Sequence, residues 1–172
     1  MEDIIYNNID YPILSLITFL PLLGVAFILL IRNEVIIKWL ALATTFGTFI
    51  VSLPIYKYFD KTTYKMQFVE NYPWITTWNI NYKVGVDGIS VLFIILVTIL
   101  SMLCVTVSWK AVQHRLKEFF VSLLVLETAM IGIFISLNAF LFYLFWELTL
   151  IPMFLLIGVW GGHKRIYSAV KF

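Results

Sequence analysis

Two glutamates are the residues of this chain most able to do chemistry, because neither has an evident route to water. Glu127 stands in "LLVLETAMIG" and Glu147 in "FYLFWELTLIPMF", both otherwise apolar runs. A charged side chain at the centre of a membrane span costs about 2.5–3.5 kcal/mol on insertion scales, so a chain keeps two acids there only with compensation. No Lys or Arg falls within the same apolar runs to pair with them, so burial favours the neutral carboxyl and makes proton uptake and release the available chemistry. Five residues after Glu147, Pro152 cannot donate to the Leu148 carbonyl, which predicts a kink and a freed carbonyl within a turn of the acid. Carboxyl, carbonyl and bend together predict a polar spot able to hold water. The plainer alternative is that both acids are neutral, hydrogen-bonded packing groups; intramembrane acids weigh toward the relay.

Other chemistry finds little support. The sequence shows no glycine-rich phosphate loop, no metal-ligand cluster and no nucleophile with base and orienter, so the expectation is no catalytic, cofactor-binding or metal site. Cys104 is the single cysteine and lies in an apolar run, where a structural thiol is the default. His114, beside Arg115, reads as part of a solvated basic face.

The elements that must position these acids follow from composition. Of the 172 residues, 62% are hydrophobic and 13% charged, which excludes an ordinary soluble domain and reads as a membrane protein. The net charge of +2 is spread in short basic clusters beside apolar runs, which suits membrane flanks and excludes a nucleic-acid surface. Acidic Glu2, Asp3 and Asp10 stand where a signal peptide would be positive, so the first apolar run is expected to persist as a span. Five segments reach the roughly 20 residues needed to cross a bilayer: about 11–31, 35–56, 89–109, 119–137 and 139–160. They must be helices, since lipid leaves backbone amides of loops and open strands unpaired, and no period-2 alternation suggests a barrel.

The fold class is thus all-α, a single membrane domain over 1–172 with five transmembrane helices and the opening of a sixth. Short links predict antiparallel neighbours. The longer segment 57–88 shows partial alternation from Trp74 to Val84 and predicts a short surface hairpin, read as a lid or partner contact. Asp87 or Gly88 is expected to cap the third helix. Placing the N-terminus outside leaves eight of the 12 basic residues inside and four in the long loop, in keeping with the positive-inside rule. On that assignment Trp39, Trp109 and Trp160 all fall at the inner boundary, and Glu70 is a water-facing loop acid.

Counting from the hairpin of the fourth and fifth helices, Glu127 and Glu147 come roughly 13–15 Å below the outer turn, level with one another. Whether they face each other is open. On the fourth helix Ala129, Gly132 and Ser136 form a close-packing face, with Glu127 on the opposite, bulkier side beside Leu123, Met130, Ile131 and Phe134.

The stretch "LLVLETAMIGIFISLNAFLFYLFWELTLIPMFLLIGVWGG", with "VGVDGIS" before the third helix, resembles the antiporter-like subunit 4, or chain M, of proton-pumping NADH:quinone oxidoreductase, respiratory complex I. The resemblance covers most of the chain from about Tyr72 and implies a proton-translocating role, with Glu147 a central pumping residue, Glu127 a supporting one and Pro152 the helix-kink support. It implies that NADH, FMN, iron-sulfur clusters and quinone belong to the complete complex and not to this chain. The implied partners are the lipid bilayer and other membrane-arm subunits in a hetero-oligomer, within a bacterial plasma membrane or mitochondrial inner membrane. Two departures stand out: Asn138 occupies a position where many relatives have an acid, and the lysines of the family's later helices are absent. The chain reads as an N-terminal part of a longer subunit that does not translocate protons unaided. Alternatives are the related subunit of a multisubunit cation/proton antiporter or membrane-bound hydrogenase and, from another class, a structural or assembly membrane protein.

Overall fold

The computed structural model describes residues 11–78 and 80–172. Five long apolar helices, α1 (Ile13–Leu30), α2 (Glu34–Tyr58), α3 (Gly88–Ala111), α4 (Leu116–Ile135) and α5 (Ala139–Trp160), are each long and apolar enough to cross a membrane. A seven-residue α6 (Arg165–Lys171) follows. Between α2 and α3 an antiparallel hairpin pairs β1 (Gln67–Ile75) with β2 (Ile80–Val86). The acids Glu2, Asp3 and Asp10, and with them the expected position of the N-terminus, lie outside the described residues.

Helix starts follow local chemistry. Asn33 caps α2 by accepting from Val35 N at 3.0 Å, Asp87 caps α3 by accepting from Ser90 N at 2.7 Å, and Asn138 caps α5 by accepting from Phe140 N at 2.9 Å. Of the two candidates for the third helix, Asp87 does the work. The link before α4 is shorter than expected, since α4 starts at Leu116 rather than near 119. α4 is central, packing against α1, α2, α3 and α5, whereas α5 touches α4 and α6 but none of the first three helices to a comparable extent.

At the end away from the hairpin, Lys38 Nζ donates to Trp109 O at 3.0 Å, Lys117 Nζ to Leu29 O at 2.6 Å and Trp160 Nε1 to His114 O at 3.1 Å. The Trp39 and Trp109 rings meet edge to face at 5.1 Å. Cations and indoles thus gather where helix carbonyls end, as membrane-boundary residues do.

The hairpin corrects two expectations. It is more than a surface lid: Phe68, Val84 and Val86 are buried in the same apolar cluster as Ile13, Ile17, Ile94 and Ile131. Val84 bridges to Ser136 in the α4–α5 link, and Leu137 N donates to Lys83 O at 3.0 Å. Gly85 lets that link approach, because a Cβ there would stand 2.7 Å from Leu137 Cδ1. Glu70 is not water-facing either; it is 4% exposed. A bulge between Gln67 and Glu70, with Phe68 in a left-handed conformation (φ 52°), breaks the strand's alternation and turns both Phe68 and Glu70 inward.

Candidate functional site

Glu127 lies eight residues before the end of α4 and Glu147 eight after the start of α5, which sets both about 12 Å from the hairpin-side ends of their helices. They share a level but not an environment. Glu127 is 1% exposed, and neither carboxyl oxygen has a hydrogen-bond partner among the described residues. Glu147 is exposed on the flank of α5, with the Tyr143 hydroxyl, one turn earlier, as its polar neighbour.

Helix phase explains the contrast. On α4 the buried stripe Phe120, Leu124, Glu127, Ile131 and Ile135 recurs every three or four residues and turns into the space shared with α1, α2 and α3. Gly132 lies on another face and lets α5 approach, since a Cβ there would come within 2.3 Å of the Phe145 ring. Carboxyl and close packing therefore occupy different sides of α4. On α5, Leu141 and Phe145 are buried in the cluster shared with α4 and Pro152 is buried further along, while Glu147 belongs to a separate stripe with Ile151, Phe154 and Gly158. The two carboxyls do not face each other.

Pro152 sits inside an unbroken α5, and its buried ring points away from the Glu147 side. Carboxyl and proline are thus within two turns along the helix but on different faces, so the structure does not gather them into one polar spot. A cavity of about 560 Å³ opens instead on the α4 side, between Phe19 and Leu22 of α1, Tyr72, Trp74 and Tyr82 of the hairpin, and Leu148 of α5. Thr128, whose buried hydroxyl has no partner among the described residues, lines it. Among the described residues there is no cluster of three or more His, Cys, Asp or Glu able to hold a metal.

Sequence reasoning missed one acidic site altogether. The Glu70 carboxylate accepts from Leu14 N at 2.8 Å, from Ser15 N at 3.3 Å and from the Ser15 hydroxyl, whose oxygen lies 3.0 Å from Tyr82 Oη. An anion at the N-terminus of α1 satisfies amides that the helix leaves free and opposes its dipole. The available signal was weak: an acid in a hairpin otherwise rich in aromatics.

Residues 136–172 match the family model described as NADH:quinone oxidoreductase/Mrp antiporter, transmembrane. The chain is 48% identical over 169 residues to the NADH-quinone oxidoreductase subunit M of Rhodobacter capsulatus, covering 93% of this chain and 32% of that protein. It is 40% identical over 171 residues to subunit M of Rickettsia conorii (95% and 35%) and 42% identical over 155 residues to NADH-ubiquinone oxidoreductase chain 4 of Arabidopsis thaliana (88% and 31%). In fold it is similar to a chain of respiratory complex I from Thermus thermophilus, with a TM-score of 0.75 at 24% identity over 91% of this chain and 31% of that one. A chain of the archaeal membrane-bound sulfane sulfur reductase superposes with a TM-score of 0.74 at 17% identity, over 92% and 24%. The sequence thus spans about a third of the length of the relatives it matches. Over that third, and along nearly all of its own length, the chain is a multi-pass membrane homologue of NADH-quinone oxidoreductase subunit M, called chain 4 in its mitochondrial relatives.

Proposed function

We propose that this chain is the N-terminal part of an antiporter-like, proton-translocating subunit in the membrane arm of an NADH:quinone oxidoreductase, with Glu147 as the proton-carrying residue, Glu127 as a second proton site and Pro152 shaping the helix between them and α6. The observation that carries this reading is the stripe Glu147, Ile151, Phe154 and Gly158 on α5. α6 already lies on its far end, where a Cβ on Gly158 would stand 3.4 Å from Ala169, and Phe154, Ile166 and Val170 line one hollow. A helix stripe that begins by packing on another helix is an interhelical face, and a carboxyl on it calls for a partner from the remaining two thirds of the subunit. The cationic partner belongs to that remainder.

The hairpin then lies at the outer membrane face and the Lys- and Arg-rich end inside. NADH, FMN, the iron-sulfur clusters and quinone are assigned to other subunits, whose electron transfer is coupled to this chain by conformational or electrostatic change along the membrane arm. The antiporter and assembly-protein alternatives are not favoured, since relatives at 40–48% identity are named as oxidoreductase subunits.

The test is Glu147→Gln in the full-length subunit of the assembled complex. The expected outcome is a drop in proton pumping by reconstituted vesicles on the order of tenfold or more, the scale of losing one proton-transfer group, with assembly intact. Full pumping in that variant would overturn the assignment.

A further inference from the structure

The faces of the membrane helices differ in composition. α4 and α5 meet where Gly132 admits the Phe145 ring, and α5 receives α6 at Gly158, as helix pairs in lipid do when small residues let backbones approach. α3 has a face of the opposite kind. Leu92, Leu96, Leu100, Leu103 and Val107 are all exposed and recur every three or four residues, so they form one stripe along the membrane depth. Its five positions are large aliphatic side chains, with none of the Gly, Ala or Ser that would let a further helix pack closely, and such a surface suits fluid acyl chains. The same stripe ends at Lys110, in the last turn of α3.

At that end a hollow of about 450 Å³ is lined by Glu34, Lys38, Trp109, Lys110, Gln113 and Leu116. Lys38 is half-buried and gives one of its three donors to Trp109 O at 3.0 Å. That contact holds its ammonium on the α3 side and away from Glu34, one turn earlier on α2, although the i, i+4 spacing would allow an ion pair. Neither Glu34 nor Lys110 has an ion-pair partner among the described residues. Charges of both signs thus line one hollow without neutralising each other. Trp39 and Trp109, edge to face at 5.1 Å, mark this level as the membrane boundary, where lipid headgroups lie.

We propose that this hollow binds the headgroup of an aminophospholipid from the bilayer, with the phosphate on Lys38 and Lys110, the ammonium on Glu34 and an acyl chain lying on Val107, Leu103 and Leu100. Charge complementarity selects the class. A phosphoethanolamine group carries one anion and one cation a two-carbon bridge apart, and at their helical spacing Glu34 and Lys38 stand about 5–6 Å apart at Cβ. Basic pockets between membrane helices take lipid phosphates. An anionic headgroup alone would leave Glu34 unpaired beside the phosphate, a like-charge contact that costs affinity. The site rests on the reading of this chain as a membrane-spanning subunit and is independent of proton transfer through Glu147.

Photo-crosslinking of the assembled complex in nanodiscs tests it, with probes that carry a diazirine on one acyl chain and either a phosphoethanolamine or a phosphoglycerol headgroup. The expected result is labelling of the α3 peptide 100–107 by the phosphoethanolamine probe, competed by unlabelled phosphatidylethanolamine and not by phosphatidylglycerol. Lys110→Gln should lower that labelling about fivefold, the weight of one charge at a membrane surface. Glu34→Gln should remove the preference between the two probes and leave labelling itself in place. Both variants keep Lys38, whose bond to Trp109 O joins α2 to α3. Equal labelling of the wild type by both probes would make the hollow ordinary lipid annulus, and stronger labelling by the phosphoglycerol probe would make it an anionic-lipid site; either result overturns the proposal. An α3 peptide that neither probe labels overturns it too, since protein then covers the stripe. Pumping by Glu147→Gln is read separately in vesicles, so either assignment can fail alone.

Discussion

At the scale of single residues, polar groups here are placed by what they must satisfy. Glu70 closes the N-terminus of α1 from a strand 55 residues further along the chain, so Glu70→Ala should cost about 1–2 kcal/mol of stability, the range of a lost helix cap. The loss would appear as a lower denaturation midpoint in detergent, with faster proteolysis of the hairpin than of the helices. Burial, and secondarily the Glu70 charge, raises the Tyr82 hydroxyl above the ordinary phenol value, against the opposing hydrogen bond from Ser15. Because the folded value is raised, its stabilising effect is complete below about pH 10 and is lost as pH rises further, where the unfolded phenol ionises and the folded one does not. Tyr82→Phe should flatten the alkaline limb of the stability profile; an unchanged limb would place the cause elsewhere. Asn138 shows the same economy. Its Oδ1 caps α5 and its Nδ2 donates to Asn81 O at 3.3 Å, a second bond that an ionised acid at this position could not make.

At the scale of elements, the α4–α5 contact is set by one missing side chain. A Cβ on Gly132 would sit 2.3–2.5 Å from three atoms of the Phe145 ring, so Gly132→Val must push the helices apart at about 1–3 kcal/mol, the usual cost of overpacking. Adding Phe145→Ala should recover part of that loss, and a double-mutant cycle on thermal stability would show the coupling as a non-additive term. Additive losses would mean that the helices are held apart by something else. The small face on α4 was legible because Gly and Ser at helical spacing have few other uses in lipid. Helix existence and the Asp87 cap were legible for similar reasons: long apolar runs and capping residues act locally. The inward turn of Glu70 was not, because a bulge at Phe68 sets it and the partner amides lie on a helix far away in sequence. Nor was the orientation of Glu147, since an apolar helix with polar residues on no consistent side gives no hydrophobic contrast from which to read its inner face.

At the scale of the whole molecule, the structure divides into two ends whose chemistry differs. The hairpin end is aromatic and holds Lys57, Lys61, Lys65 and Lys83, while the opposite end and α6 hold Arg32, Lys38, Lys110, Arg115, Lys117, Lys164, Arg165 and Lys171. Short links with excess Lys and Arg stay on the cytoplasmic or matrix side, whereas long loops cross regardless of charge, so the weight of this asymmetry rests on the links after α1, α3 and α5. The topology proposed from this asymmetry has the hairpin on the outer face. Single-cysteine variants in a full-length subunit freed of Cys104 and any further cysteines report it directly: Tyr64→Cys, at a position 93% exposed on the hairpin side, and Gln113→Cys, exposed in the α3–α4 link. A membrane-impermeant thiol reagent should label the Tyr64 position in intact cells or mitoplasts and reach the Gln113 position only after permeabilisation. The reverse pattern would invert the orientation. It would also turn the cavity beneath the hairpin, and the Thr128 hydroxyl that lines it, toward the cytoplasmic or matrix proton pool rather than the outer one.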